Sequence, residues 1–63
     1  MKTMRIECWF TNGLFRAFPE VDPESLEEKE VEEKEVIAFI FKGGHIANIN
    51  KNNVNFIEIM EEQ

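Results

Sequence analysis

The sequence predicts a small, mainly β domain of about five short antiparallel strands, forming a small barrel or a strongly bent sheet. Three observations carry that expectation. Asn12-Gly13 and Gly43-Gly44 each stand between strand-like runs, as the loops of two-residue hairpins do. The run 36–41, Val-Ile-Ala-Phe-Ile-Phe, is apolar without alternation, which fits a strand covered on both faces.

The first hairpin is read from residues 4–11 and 14–18. With Asn12 and Gly13 as the loop of a type I′ turn, Thr11 pairs with Leu14, Phe10 with Phe15, Trp9 with Arg16 and Cys8 with Ala17. One face then carries Ile6, Cys8, Phe10, Phe15 and Ala17, is wholly apolar, and packs on the core. The other carries Arg5, Glu7, Trp9, Thr11, Leu14, Arg16 and Phe18. Pro19 has no backbone donor, so the second strand ends near it or lies at an edge.

Residues 22–35 read as an acidic connector between the second and third strands. Asp22 at a cap followed by Pro23 at the first helical position is a helix start. Glu30 precedes Lys34 by four residues, the favourable orientation for a helical ion pair. Only Leu26 and Val31 offer an apolar side, so a short, solvated helix or a charged loop is expected there. After the strand at 36–41, Gly43-Gly44 closes a second two-residue hairpin that pairs Phe41 with Ile46 and Phe39 with Asn48. The return strand is 45–50, followed by a turn at 51–53. A last strand at 54–60 places Ile57 and Ile59 on one face, and Glu61, Glu62 and Gln63 are expected to fray. The closing stretch Gly-His-Ile-Ala-Asn-Ile-Asn-Lys-Asn-Asn-Val-Asn-Phe-Ile-Glu-Ile resembles the ends of small β-proteins of Gram-positive bacteria and their prophages. That likeness covers about the last third of the chain. It implies a phage or mobile-element origin and no activity.

The 63 residues allow one domain, 1–63. A chain of this size buries only roughly 60% of the surface exposed when unfolded, so it needs additional support. Cys8 is the only cysteine and His45 the only histidine, which excludes an intramolecular disulfide and leaves too few soft ligands for structural zinc. Association with a second chain is the remaining support, and a homodimer is expected. The longest wholly apolar run is too short to span a bilayer, and Glu7 interrupts the N-terminus before a signal sequence develops. A lone thiol with no secretion signal fits a reducing cytoplasm.

Thirteen acids against seven bases give a net charge of −6. The bases are scattered singly, which disfavours nucleic acid and anionic membranes as partners. Six acids, Glu27, Glu28, Glu30, Glu32, Glu33 and Glu35, form an acidic surface. They lack the interleaved Gly and Asn of a calcium loop, so a solvated charged face is expected and no metal. Gly43-Gly44 precedes a strand and not a helix, unlike phosphate-cradling loops. Asn48, Asn50, Asn52, Asn53 and Asn55 fit a turn-rich region. Cys8 and His45 alone offer a nucleophile and a base, but Cys8 faces the core and would be a poorly reactive thiol. The chain is therefore expected to be neither an enzyme nor a cofactor binder.

The mixed face of the first hairpin is the candidate contact surface. It groups Trp9 and Arg16, within cation–π range, with Leu14, Phe18 and Arg5. Trp, Phe and Arg are the residues that dominate interface cores. The function expected from sequence is a non-catalytic protein-interaction module that binds itself or a protein partner. The alternative is an acidic, nucleic-acid-mimicking inhibitor of a DNA- or RNA-handling enzyme. Single-strand nucleic-acid binding through Trp9 and Phe18 is opposed by the net charge.

Overall fold

The computed structural model describes residues 2–62 and contains six antiparallel strands and no α-helix. In chain order these are β1 (Thr3–Phe10), β2 (Phe15–Val21), β3 (Glu27–Val31), β4 (Lys34–Phe41), β5 (His45–Asn50) and β6 (Val54–Glu62). β1 is flanked by β2 and β6, while β4 is flanked by β3 and β5 and meets β2 through the pair Val21–Phe41. The expected β fold is therefore present as a curled half-barrel. Among the described residues β3, β5 and β6 are each paired along one side only.

The first hairpin departs from the expected register by one residue. Its loop has three residues, 11–13, not two. The Phe10 carbonyl accepts from the Gly13 N–H at 3.0 Å, and the Phe10 N–H donates to the Leu14 carbonyl at 2.8 Å. Gly13 takes a φ of 89°, the left-handed residue that follows a type I turn in such loops. Trp9 therefore pairs with Phe15, Cys8 with Arg16, Glu7 with Ala17 and Ile6 with Phe18. Slipping one residue moves a strand's side chains to the opposite face. Phe18 and Arg16 join Ile6 and Cys8 on the inner face, and Phe15 and Ala17 turn outward. The second hairpin repeats the departure: its loop is 42–44, and Phe41 pairs with His45, Ile40 with Ile46 and Phe39 with Ala47.

Pro19 stands two residues before the end of β2 at Val21, near it as expected. It sits in a bulge, where Pro19 and Glu20 of β2 lie across from Arg5 of β1 and Glu20 adopts a φ of 53°. Beyond Val21 neither the short helix nor the charged loop expected for 22–35 develops. Asp22 does act as a cap, its Oδ1 accepting from the Glu24 N–H at 3.0 Å, but only one 3-10 turn follows, at Pro23–Ser25. Leu26 is extended and packs against the core, which pulls the chain out of helical geometry. Ser25 fixes the turn to β4 by accepting from the Ile40 N–H at 2.8 Å.

The acidic connector is thus a β-strand. β3 pairs with the outer half of β4 from Glu27–Ala38 to Val31–Lys34. Glu32 and Glu33 form the two-residue turn between them, with φ of 51° and 65°. The type I′ geometry expected of Asn12-Gly13 occurs here, on two glutamates. β6 also runs further than expected. Glu62 accepts from the Thr3 hydroxyl and from the Glu20 N–H, both at 2.9 Å, which ties the strand's end across β1 to the bulge. Gln63 lies outside the described residues.

The core is Ile6, Cys8, Phe18, Val21, Phe39, Ala47 and Ile49. Phe18 meets Phe39 and Phe41 edge-on, at 5.1 Å each. Full burial of side chains such as Ile6 and Phe39 contributes about 1.5–3 kcal/mol apiece. Ile6, Leu26, Ile37, Ile49, Ile57 and Ile59, with Glu28, line a largely apolar slot of about 250 Å³.

Candidate interaction surfaces

The register of the first hairpin divides the predicted contact surface in two. Trp9 and Arg5 share the outer face of the β2–β1–β6 layer. Arg16 and Phe18 belong to the inner face, where Phe18 is only 3% exposed and takes no part in any outer surface. Leu14 projects from the hairpin tip and is largely exposed. The cation–π contact is present with a different ring: the Arg16 guanidinium lies 5.0 Å from the centroid of Phe18, not over Trp9.

On the outer face Trp9 sits directly between Phe15 of β2 and Phe56 of β6. The ring centroids are 5.0 and 5.2 Å apart, with tilted planes. Both phenylalanines remain about half exposed, at 51% and 55%. Beside them Arg5 Nε donates to Glu7 Oε2 at 2.8 Å. Glu7 lies opposite Glu58, and the guanidinium offsets the repulsion between the two carboxylates. A two-residue loop would turn Phe15 inward, whereas the observed register turns it outward beside Phe56. Phe56 was legible in the sequence, because alternation with Ile57 and Ile59 points it outward.

The six predicted acidic residues are all exposed on the β3–β4 hairpin. Glu30 lies directly across from Glu35, a like-charge pair. Glu28 alone has a partner among the described residues, Lys51 Nζ at 3.4 Å. No group of three or more His, Cys, Asp or Glu among the described residues is placed to hold a metal ion.

A third surface is formed by elements distant in sequence. An open cleft of about 820 Å³ lies between β5 and the tip of the first hairpin. Its aromatic lining is Phe10, Phe18 and Phe41, with Arg16, His45 and several asparagines around them. Cys8 is fully buried, and loss of water pushes its thiol above the ordinary value of 9.0. His45 stacks on Phe41 at 5.6 Å, and no hydrogen bond joins it to Cys8 among the described residues. No described helix is long and apolar enough to cross a membrane. Comparison with known proteins finds no matching family model, no similar curated protein and no similar solved structure.

Proposed function

We propose that this chain is a non-catalytic protein-interaction module of the cytoplasm. It associates with itself, as a homodimer, or with a protein partner through Trp9, Phe15 and Phe56. The observation that carries the reading is the aromatic row itself: three rings in tilted contact on an ordered sheet face, two of them half exposed. Aromatic side chains with a neighbouring arginine dominate the energetics of protein interfaces. A marginal core makes an additional buried surface valuable for stability.

Size-exclusion chromatography with light scattering across a concentration series tests self-association. The expected outcome is a dimer that Trp9→Ala and Phe56→Ala each weaken, with a blue shift of Trp9 emission as the dimer forms. A wild-type chain that stays monomeric at the highest concentration removes the self-association branch.

The acidic hairpin favours a second reading, an inhibitor that imitates nucleic acid. Its carboxylates sit on an ordered strand, where alternate residues are spaced by roughly 6.6–6.8 Å. Capture by a basic nucleic-acid enzyme should weaken steeply with added salt. Affinity indifferent to salt eliminates this reading.

A further inference from the structure

The cleft beside β5 has three properties that together specify a ligand. First, all six residues of β5 border it, from both faces of the strand. A strand does this when its edge, not a face, forms the wall. Among the described residues β5 pairs with β4 alone, so that edge presents unpaired backbone donors and acceptors. Second, no Asp or Glu lines the cleft, although thirteen of the 63 residues are acids. Third, Arg16 stands in it over the Phe18 ring, and no carboxylate pairs with it among the described residues; the same holds for Lys2, Lys29, Lys34 and Lys42, but Arg16 alone of these lines the cleft. A chain with a six-charge acidic excess brings none of its acids to this guanidinium.

We propose that the cleft binds an extended acidic segment of a partner protein, added as a strand to the free edge of β5, with one of its carboxylates on Arg16. Backbone pairing supplies affinity without regard to sequence, and alternate side chains supply selectivity. One row of the segment's side chains meets the partly exposed Phe10 and Phe41, and Arg16 selects a carboxylate. A nucleic-acid strand fits the same observations poorly. Its affinity comes from neutralising several phosphates, and a single arginine on an acidic chain does not do that. The cleft and the Trp9 row occupy opposite faces of the first hairpin, so this inference stands or falls independently of the proposed function.

The test uses the full chain and a fluorescein-labelled octapeptide of alternating valine and glutamate, read by anisotropy. Three comparators accompany it: alternating valine and lysine, the glutamate peptide with alternate amides N-methylated, and an oligothymidylate of equal length. The glutamate peptide is expected to bind in a salt-dependent manner. Arg16→Glu should weaken it by about tenfold or more, the scale of one charge-assisted hydrogen bond, and improve the lysine peptide. Arg16→Gln should weaken it without that reversal, and Trp9→Ala should leave it unchanged. N-methylation should abolish binding, and bound peptide should slow amide hydrogen exchange along His45–Asn50. The proposal is overturned if the glutamate and lysine peptides bind equally, or if both Arg16 variants, folded by circular dichroism, bind like wild type. It is also overturned if exchange slows along β6 instead, or if the oligothymidylate binds more tightly than the peptide.

Discussion

The β1–β2 hairpin is closed through Asn12 and Gly13 and contributes Ile6, Cys8, Phe18 and Val21 to the core. β3 and the Glu32-Glu33 turn contribute no buried residue, and every side chain from Glu27 to Glu35 is exposed. The hairpin with ideal turn residues adopts a three-residue loop, while the one with two glutamates adopts the tight two-residue loop. Loop type in this molecule follows from what the strands must bury. A register that keeps Phe18 beside Ile6 and Phe39 is favoured by about 1.5–3 kcal/mol per buried large side chain. A left-handed glutamate costs roughly 1–2 kcal/mol. Burial of Ile37 and Phe39 fixes β4, and the acidic turn accepts the strain that remains.

The largest expected effect tests where the burial lies. Phe18→Ala should cost about 3–5 kcal/mol in urea denaturation, whereas Val31→Ala should stay within about 0.5 kcal/mol. Comparable losses from the two would mean that the acidic hairpin carries as much of the fold as the first one.

A smaller effect comes from Cys8. Burial raises its pKa in the folded chain, so the unfolded thiol ionises first as the pH rises. Stability should hold below pH 9.0 and decline above it, until the folded thiol itself ionises. Denaturation curves recorded across that range should lose this decline in Cys8→Ala. A decline of equal steepness in the variant assigns it to other groups.

The acidic hairpin should respond in the opposite direction. Replacing Glu32-Glu33 with Asn-Gly supplies residues suited to left-handed backbone and should raise stability by about 1–2 kcal/mol in the same assay. No gain would show that the glutamates take this geometry without strain. Glu30→Lys, which turns the repulsive pair with Glu35 into an attractive one, should add about 0.2–1 kcal/mol. That gain should shrink as salt is added, and a gain insensitive to salt would point to packing instead.

The positions of most strands were legible because alternation, apolar runs and turn residues are local signals. His45–Asn50 coincides with its expected strand, and the turn at Lys51–Asn53 forms where asparagines cluster, with Asn50 Oδ1 accepting from the Asn52 N–H at 2.9 Å. The outward position of Trp9 and Arg5 was legible for the same reason. The partners of Trp9 were not, because a one-residue difference in loop length exchanges Arg16 for Phe15 while leaving local patterns intact. β3 was misread for a related reason. Glutamate and lysine have poor strand propensity, and their spacing imitates a helical ion pair, but Leu26 and the buried half of β4 draw them into the sheet.

From the chain's residues alone came its β character, the exposure of the acids from Glu27 to Glu35 and the lack of a second cysteine or histidine to build a metal or disulfide site. These depend on composition and on near neighbours, which folding does not change. Only the tertiary structure decided which rings pack against Trp9, that Glu27–Val31 is a strand, and that Arg16 faces a cleft free of acids. Each of those depends on register between strands distant in sequence, and register is settled by the summed burial of the whole core, a quantity no local stretch contains.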